Sequence, residues 1–432
     1  FSRVTFPELT GTPSEVQARI DAKLARIGKE REGIQAEILN LLKYRPKLLA
    51  VYDHVYIERE REDVIKNLAK TEASFLIEGW IKKKDVETLK QRLRSVSSAV
   101  EISTRDPEEG EQVPVTLENI TIVDPFEAVT EMYSQPKYTE IDPTPLVTVF
   151  FIIFFGICLS DAGYGIMLST LSILMMKKYN MGSTGKKFLR LLFIGGISSF
   201  FFGVLSGSWF GDLLRMPALW INPVDDPITM LVFALILGLI QIFVGIGVKM
   251  YNNIRRGNIK DAVFDQLTWS ILLSGLVLII LAEMDIISIG KIPYGVTGFG
   301  ALSLVLTQGR HQKGMVKKIV VGLASLYGII GYFSDVLSYS RLMALSLATI
   351  VLAMVFNTIA FIMKDIYLVG IFITAMVLIV SHFFILIIGT LGAFVHTMRL
   401  QYVEFFSKFY VGGGKKFSPF RMDTKYIEIE EV

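Results

Sequence analysis

Ser338-Tyr339-Ser340-Arg341-Leu342-Met343-Ala344-Leu345-Ser346-Leu347-Ala348, followed after Thr349 by Ile350-Val351-Leu352-Ala353-Met354-Val355-Phe356, sets one arginine inside a long apolar run. An arginine cannot shed its charge by deprotonation. At the centre of a bilayer it costs about 2.5 kcal/mol or more, so it must face protein or water. At about 100° per residue, Ser334, Ser338, Arg341, Ala344, Leu345 and Ala348 fall on one side. That stripe is narrow and mostly small, suited to close approach by another helix.

Composition agrees with a membrane reading. Hydrophobic residues make up 52% of the 432-residue chain and charged residues 20%, with a mean hydropathy of +0.48. Soluble domains average about 25% charge, so the composition disfavours a simple soluble enzyme and excludes a disordered chain. The net charge of +3 leaves no nucleic-acid footprint. The single Cys158 permits no disulfide framework, and four histidines make a multi-His metal site hard to assemble. No P-loop, zinc spacing or nucleophile motif occurs. Neither a cofactor nor a catalytic centre is therefore expected.

Charges are dense before Pro143, and long apolar segments with short polar loops follow it. The expected fold is mostly α, a polytopic membrane helical bundle preceded by a cytoplasmic helical arm with a small α/β lobe. About eight transmembrane helices are read, near 145–160, 162–177, 188–210, 229–250, 267–282, 293–309, 332–363 and 368–407. The first two share an apolar stretch interrupted by a tight turn at Ser160-Asp161-Ala162-Gly163-Tyr164-Gly165. The last two, about 32 and 40 residues, reach roughly 48 and 60 Å against a core of about 30 Å, so they tilt strongly or project.

Every second loop is basic. Lys177, Lys178, Lys186, Lys187 and Arg190 share one; Lys249, Arg255, Arg256 and Lys260 a second; Arg310, Lys313, Lys317 and Lys318 a third; Lys415, Lys416 and Arg421 follow the last helix. The alternate loops hold only Arg215, Lys291 and Lys364, beside Asp212, Asp225, Asp226, Glu283, Asp285 and Asp365. Cytoplasmic loops carry the Lys/Arg excess, so both termini are expected in the cytoplasm. The boundaries expected are 1–124 for the arm, 125–144 for a linker, 145–410 for the transmembrane domain and 411–432 for a cytoplasmic tail.

In the arm, Val16, Ile20, Leu24, Ile27, Ile34, Ile38 and Leu41 recur at helical spacing. A second helix is expected from about Lys47 to Lys70, strands at Phe75–Ile81 and Val100–Ser103, and a short helix from Asp85 to Arg94. The chain starts at Phe1 with no visible signal peptide, and part of the natural N-terminus is expected to be absent.

The eighth span has two faces. Gly389, Gly392, His396 and Arg399 lie together; Thr390, Thr397, Gln401, Glu404 and Lys408 form a polar stripe on another side. Such a stripe borders water or a polar partner, although Glu404 with Arg399 or Lys408 reads equally as an ordinary ion pair. Asp335, about 120° around the helix from Arg341, suits a water-accessible path. Asp161 reads as a cap or turn residue or as an ion contact. Gln241, Asp265, Gln266 and Glu283 lie near span ends, where snorkelling is the default, and His382 and His396 read as hydrogen-bonded packing residues.

These residues resemble subunit a, or subunit I, of the V-type and archaeal A-type rotary ATPases. The resemblance rests on Phe75-Leu-Ile-Glu-Gly-Trp80, Pro125-Phe126-Glu127, Tyr138-Thr-Glu-Ile-Asp142-Pro-Thr-Pro145, Phe155-Gly156 and Asp161-Ala-Gly-Tyr-Gly165. It rests most specifically on the Ser338–Ala348 block and on Gly392-Ala-Phe-Val-His-Thr-Met-Arg-Leu-Gln-Tyr-Val-Glu-Phe-Phe-Ser-Lys-Phe-Tyr410. The resemblance implies a non-catalytic stator subunit with two offset half-channels beside a rotating ring of proteolipid c subunits. It carries H+ or Na+ and couples that flow to ATP synthesis or hydrolysis on other subunits. Arg341 and Arg399 match the family's two membrane arginines, and Glu404 would line the cytoplasmic path; His396, Gln401, Asp335 and Ser338 complete the expected ion-translocation set. Peripheral-stalk subunits would bind the arm, in the multi-pass cell membrane of an archaeon or bacterium.

The chain departs from eukaryotic members, which carry a carboxylate ten residues before the second arginine, where Gly389 stands here. They also carry a histidine eight residues after the first, where Thr349 stands, so the far-side half-channel is expected to use other groups, with Asp335, Ser338 or waters as the candidates. A stand-alone secondary ion transporter is the alternative, and a scaffold with no ion path would leave Arg341 unexplained.

Overall fold

Ser160 turns the chain with a φ of 37°, in the left-handed region, and divides one apolar run into two helices. A computed structural model describes residues 11–419 except 67, 73, 109, 180, 215, 285–289 and 366–368, together with 424 and 426. Of the loop charges read above, Arg215, Asp285 and Arg421 lie outside the described residues, as does the side chain of Asp365. The chain forms two units, Phe1–Thr104 with Ser418–Val432 and Arg105–Phe417. It is mostly helical.

The first unit begins with α1 (Pro13–Leu42), where the Thr12 N–H donates to Glu15 Oε2 at 2.9 Å and Pro13 supplies a pre-set φ. Helix α2 (Arg45–Lys66) follows, then a hairpin of β1 (Ala69–Lys70) and β2 (Phe75–Leu76), then α3 (Val86–Val96). The strand expected over Phe75–Ile81 stops at Leu76 because its partner is two residues long, and Gly79 weakens an extended continuation. Val100–Ser103 forms no strand among the described residues, since nothing pairs with it there.

The second unit contains β3 (Pro114–Val115), α4 (Asp124–Tyr133), α5 (Thr144–Leu159), α6 (Ala162–Lys178), α7 (Ser183–Ser206) and α8 (Pro227–Arg255). A π-helical turn, Ala262–Leu267, joins α9 (Ile259–Asp261) to α10 (Thr268–Glu283), and α11 (Ile292–Gln308) follows. Then come α12 (Met315–Ser325), α13 (Gly328–Ser338) and α14 (Ser340–Ile362). A second π-helical turn, Leu400–Phe405, joins α15 (Gly370–Arg399) to α16 (Phe406–Phe409), and β4 (Lys415–Lys416) pairs parallel to β3.

Five helical stretches are long and apolar enough to cross a membrane: Ser183–Ser206, Pro227–Arg255, Ile259–Glu283, Met315–Ile362 and Gly370–Phe409. The multi-pass character rests on these five. Helices α5, α6 and α11 have 16, 17 and 17 residues, about 24–26 Å at 1.5 Å each, which is short of the roughly 30 Å core. The stretch holding Arg341 also starts earlier than the sequence suggests, at Met315, and is interrupted at Leu326–Tyr327 and at Tyr339.

Helix α5 sits in the core, its Phe151 and Phe155 buried with Phe126 of α4, Leu191 of α7, Leu342 of α14 and Ile385 of α15. Inside lipid such packing holds helices by close contact, since tails are as apolar as leucine. Glycines set the closeness. A Cβ on Gly203 would lie 2.1 Å from the Ala162 nitrogen. Gly203→Val is therefore expected to prevent recovery of folded subunit from membranes, measured as the monodisperse fraction in detergent. Gly247→Val, with nothing within 4 Å of its added Cβ, should leave that fraction unchanged.

Three residues read as snorkelling also bond within the fold. Asp265 binds Arg310 at 2.6 Å, Gln266 accepts from Asn253 at 3.0 Å, and Glu283 accepts from the Tyr294 hydroxyl.

Candidate functional site

Helices α14 and α15 pack against each other and against α5, with α8 beside α14 and the second π-helical turn. The polar residues singled out in the sequence converge along this seam. Arg341, in the first turn of α14, is half-buried. Its Nη2 donates to Ser338 Oγ at 3.3 Å. The Ser338 hydroxyl in turn donates to Glu404 Oε1. Nη1 of Arg341 is buried without a hydrogen-bond partner among the described residues, and no carboxylate pairs with the guanidinium there.

Glu404 is 2% exposed and its second oxygen, Oε2, has no partner among the described residues. It does not pair with Lys408, although the two are four apart. The π-helical turn between residues 400 and 405 winds wider than an α-turn, so the i,i+4 stacking of an α-helix is lost across it. Lys408 instead binds Asp335 of α13, its Nζ 4.5 Å from the Tyr332 ring centre. Arg399 is exposed and makes no hydrogen bond or ion pair among the described residues.

Gln401 is fully buried, its Oε1 accepting from Gln241 Nε2 at 2.8 Å, while Tyr339 donates its hydroxyl to Gln241 Oε1 at 2.6 Å. Gln241 therefore does not snorkel. It lies mid-way along α8 and is spent on groups far away in sequence. Tyr339 and Gln241 are the members of the seam that sequence reasoning missed. A glutamine in the middle of an apolar helix was the available signal.

Nine buried side-chain nitrogen or oxygen atoms lack a hydrogen-bond partner among the described residues. Seven belong to this seam: Arg341, Ser346, Thr390, His396, Thr397, Gln401 and Glu404. Buried polar groups are nearly always bonded, so their concentration here marks a place that water or an ion would satisfy. No group of three or more metal-ligating side chains occurs among the described residues.

Five membrane-length helical stretches and a polar seam where α14, α15, α5 and α8 meet, holding Arg341 without a fixed counter-charge among the described residues, define a multi-pass membrane protein with an intramembrane polar site. Residues 32–211 and 324–422 match the V-type ATPase 116kDa subunit family, and the chain belongs to that family. It is 34% identical over 467 residues to the A-type ATP synthase subunit I of Methanocaldococcus jannaschii, covering 99% of this chain and 66% of the relative. It is 34% identical over 444 residues to that of Pyrococcus abyssi, covering 100% and 66%. The V-type ATP synthase subunit I of Borreliella burgdorferi is 26% identical over 379 residues, covering 82% of this chain and 60% of the relative. The chain thus spans about two thirds of the length of the archaeal relatives it matches.

Proposed function

We propose that the chain is the non-catalytic membrane stator subunit of a rotary A/V-type ATP synthase. It would pass H+ or Na+ between two half-channels beside a proteolipid c ring and couple that flow to ATP synthesis or hydrolysis on other subunits. The seven partnerless polar atoms along the α14–α15 seam, one of them on Arg341, are the observation that carries this reading. Arg341 and Arg399 keep a passing ring carboxylate ionised, because a nearby cation favours the charged form. Glu404, Ser338 and Gln401 line the path on one side of that barrier, and the Asp335–Lys408 pair stands at its mouth.

The shorter α5, α6 and α11 join the five long stretches to make eight crossings, with both termini cytoplasmic, in the cell membrane of an archaeon or bacterium. Residues 1–124 serve as an arm toward peripheral-stalk subunits, 125–144 as a linker, 145–410 as the ion-translocating domain and 411–432 as a tail.

Glu404→Gln tests the path. It keeps the acceptor for Ser338 and removes the charge. ATP-driven ion uptake by the reconstituted complex should fall at least tenfold, with subunit composition unchanged. Uptake within twofold of the unaltered complex would remove Glu404 from the path.

A further inference from the structure

At the opposite end of the α14–α15 seam from Glu404, the polar groups are paired rather than partnerless. His382 of α15 is buried, with Nδ1 2.7 Å from the Tyr164 hydroxyl and Nε2 3.0 Å from Asn357 Oδ1. Asn357 of α14 uses its own Nδ2 to donate to the Phe210 carbonyl and to Asp212 Oδ1, both at 2.9 Å. Asp212, in the loop after α7, is partly exposed. The chain of contacts thus runs from a surface loop into the helix interface.

Its position matters. A Cβ on Gly389 would lie 3.6 Å from Thr349 Cγ2, so Gly389 and Thr349 face each other across α14 and α15. His382 and Asn357 stand seven and eight residues away from them on the same two helices, about 10–12 Å along the axes. A buried ionisable group at membrane depth is costly, and such groups mark ion and proton paths.

We propose that His382 is the proton-carrying group of the outer half-channel. The proposal rests on the stator reading and commits the transported ion to H+. The hydrogen-bonding chemistry suits a ring that changes charge. Because Asn357 Nδ2 is held by two acceptors, Oδ1 must face the imidazole, and it only accepts. Nε2 therefore keeps its hydrogen in both states. In the neutral ring Nδ1 accepts from the Tyr164 hydroxyl; when Nδ1 takes a proton, it donates to the same oxygen. Loss of that proton restores the first arrangement, so one proton enters and one leaves per cycle.

The test uses the complete ATPase complex reconstituted in liposomes, with ATP-driven acidification and labelled-sodium uptake both measured. His382→Gln can accept from Tyr164 and donate to Asn357 but cannot carry a proton. It should assemble and lose at least nine tenths of acidification. Adding Thr349→His to that variant should restore at least a third, a gain that a packing role would not produce. Tyr164→Phe, which deletes only the hydroxyl, should cut acidification at least threefold and serves where His382→Gln does not assemble. Acidification within twofold of normal in His382→Gln, or in Tyr164→Phe where that variant stands in, overturns the proposal, as does sodium uptake without acidification. Arg341→Ala, run in parallel, separates the two levels: normal transport in it overturns the stator reading, whereas its loss beside a normal His382→Gln overturns only this inference.

Discussion

ATP-driven ion transport by the reconstituted complex should fall below detection when Arg341 is replaced by alanine, with the complex still assembled. A unit charge acts on a carboxylate at about 4 Å with roughly 4 kcal/mol at an effective dielectric of 20. That is about a thousandfold in the carboxyl's ionisation equilibrium. Without it a ring carboxylate passes the barrier still loaded, and rotation no longer forces release. In this structure the guanidinium is well placed for the task. It leans on the Ser338 hydroxyl rather than on Glu404 directly, so its charge is not neutralised by a permanent partner on its own chain. Arg341→Lys keeps the charge but can lose a proton when desolvated, and it should retain less than a tenth of transport. Ion flux measured beside ATP hydrolysis and subunit stoichiometry distinguishes the outcomes. Flux from the isolated chain without any ATPase would point to a stand-alone transporter. Undiminished pumping by Arg341→Ala would leave only a scaffold.

Arg341, Arg399 and the stripe through Gln401 and Glu404 were legible because a charge in an apolar run is a local anomaly, visible at any single position. The turn at Ser160 and Asp161 was legible for the same reason. What was not legible depends on partners distant in sequence. Gln241 looks like a residue that reaches for headgroups until Gln401 and Tyr339, 160 and 98 positions away, are brought against it. The Glu404–Lys408 spacing suggests an ion pair, and only the π-helical turn between them makes it fail. Strand length at Phe75 is likewise set by what lies opposite, a two-residue segment. His382 reads as a hydrogen-bonded packing residue from sequence, but its partners Tyr164 and Asn357, 218 and 25 positions away, appear only in the fold.

Asp161→Ala should unfold the subunit outright. This carboxylate is completely buried and accepts four hydrogen bonds. Oδ1 takes the N–H groups of Tyr164 at 3.0 Å and Phe210 at 3.1 Å; Oδ2 takes the Ser208 hydroxyl at 2.7 Å and the Gly211 N–H at 2.8 Å. One side chain thereby caps α6 and ties it to the loop that follows α7. It also holds two residues in the left-handed region, Ser160 beside it and Phe210 above it, the latter at a φ of 52°. A non-glycine residue there costs about 1–2 kcal/mol, and each buried donor left unpaired costs about 1–3 kcal/mol more. With three backbone N–H groups orphaned, the loss comes to roughly 3–9 kcal/mol, comparable with a typical total stability of about 5–15 kcal/mol. Asp161→Asn keeps Oδ1 for two of the donors but turns a donor toward Gly211, so it should fold with a midpoint several degrees lower. Thermal denaturation in detergent, followed by retention of a monodisperse peak, ranks the three proteins. If Asp161→Ala melts within two or three degrees of the unaltered chain, the carboxylate is not what holds this corner together, and an ion-contact role for it would have to be taken up again.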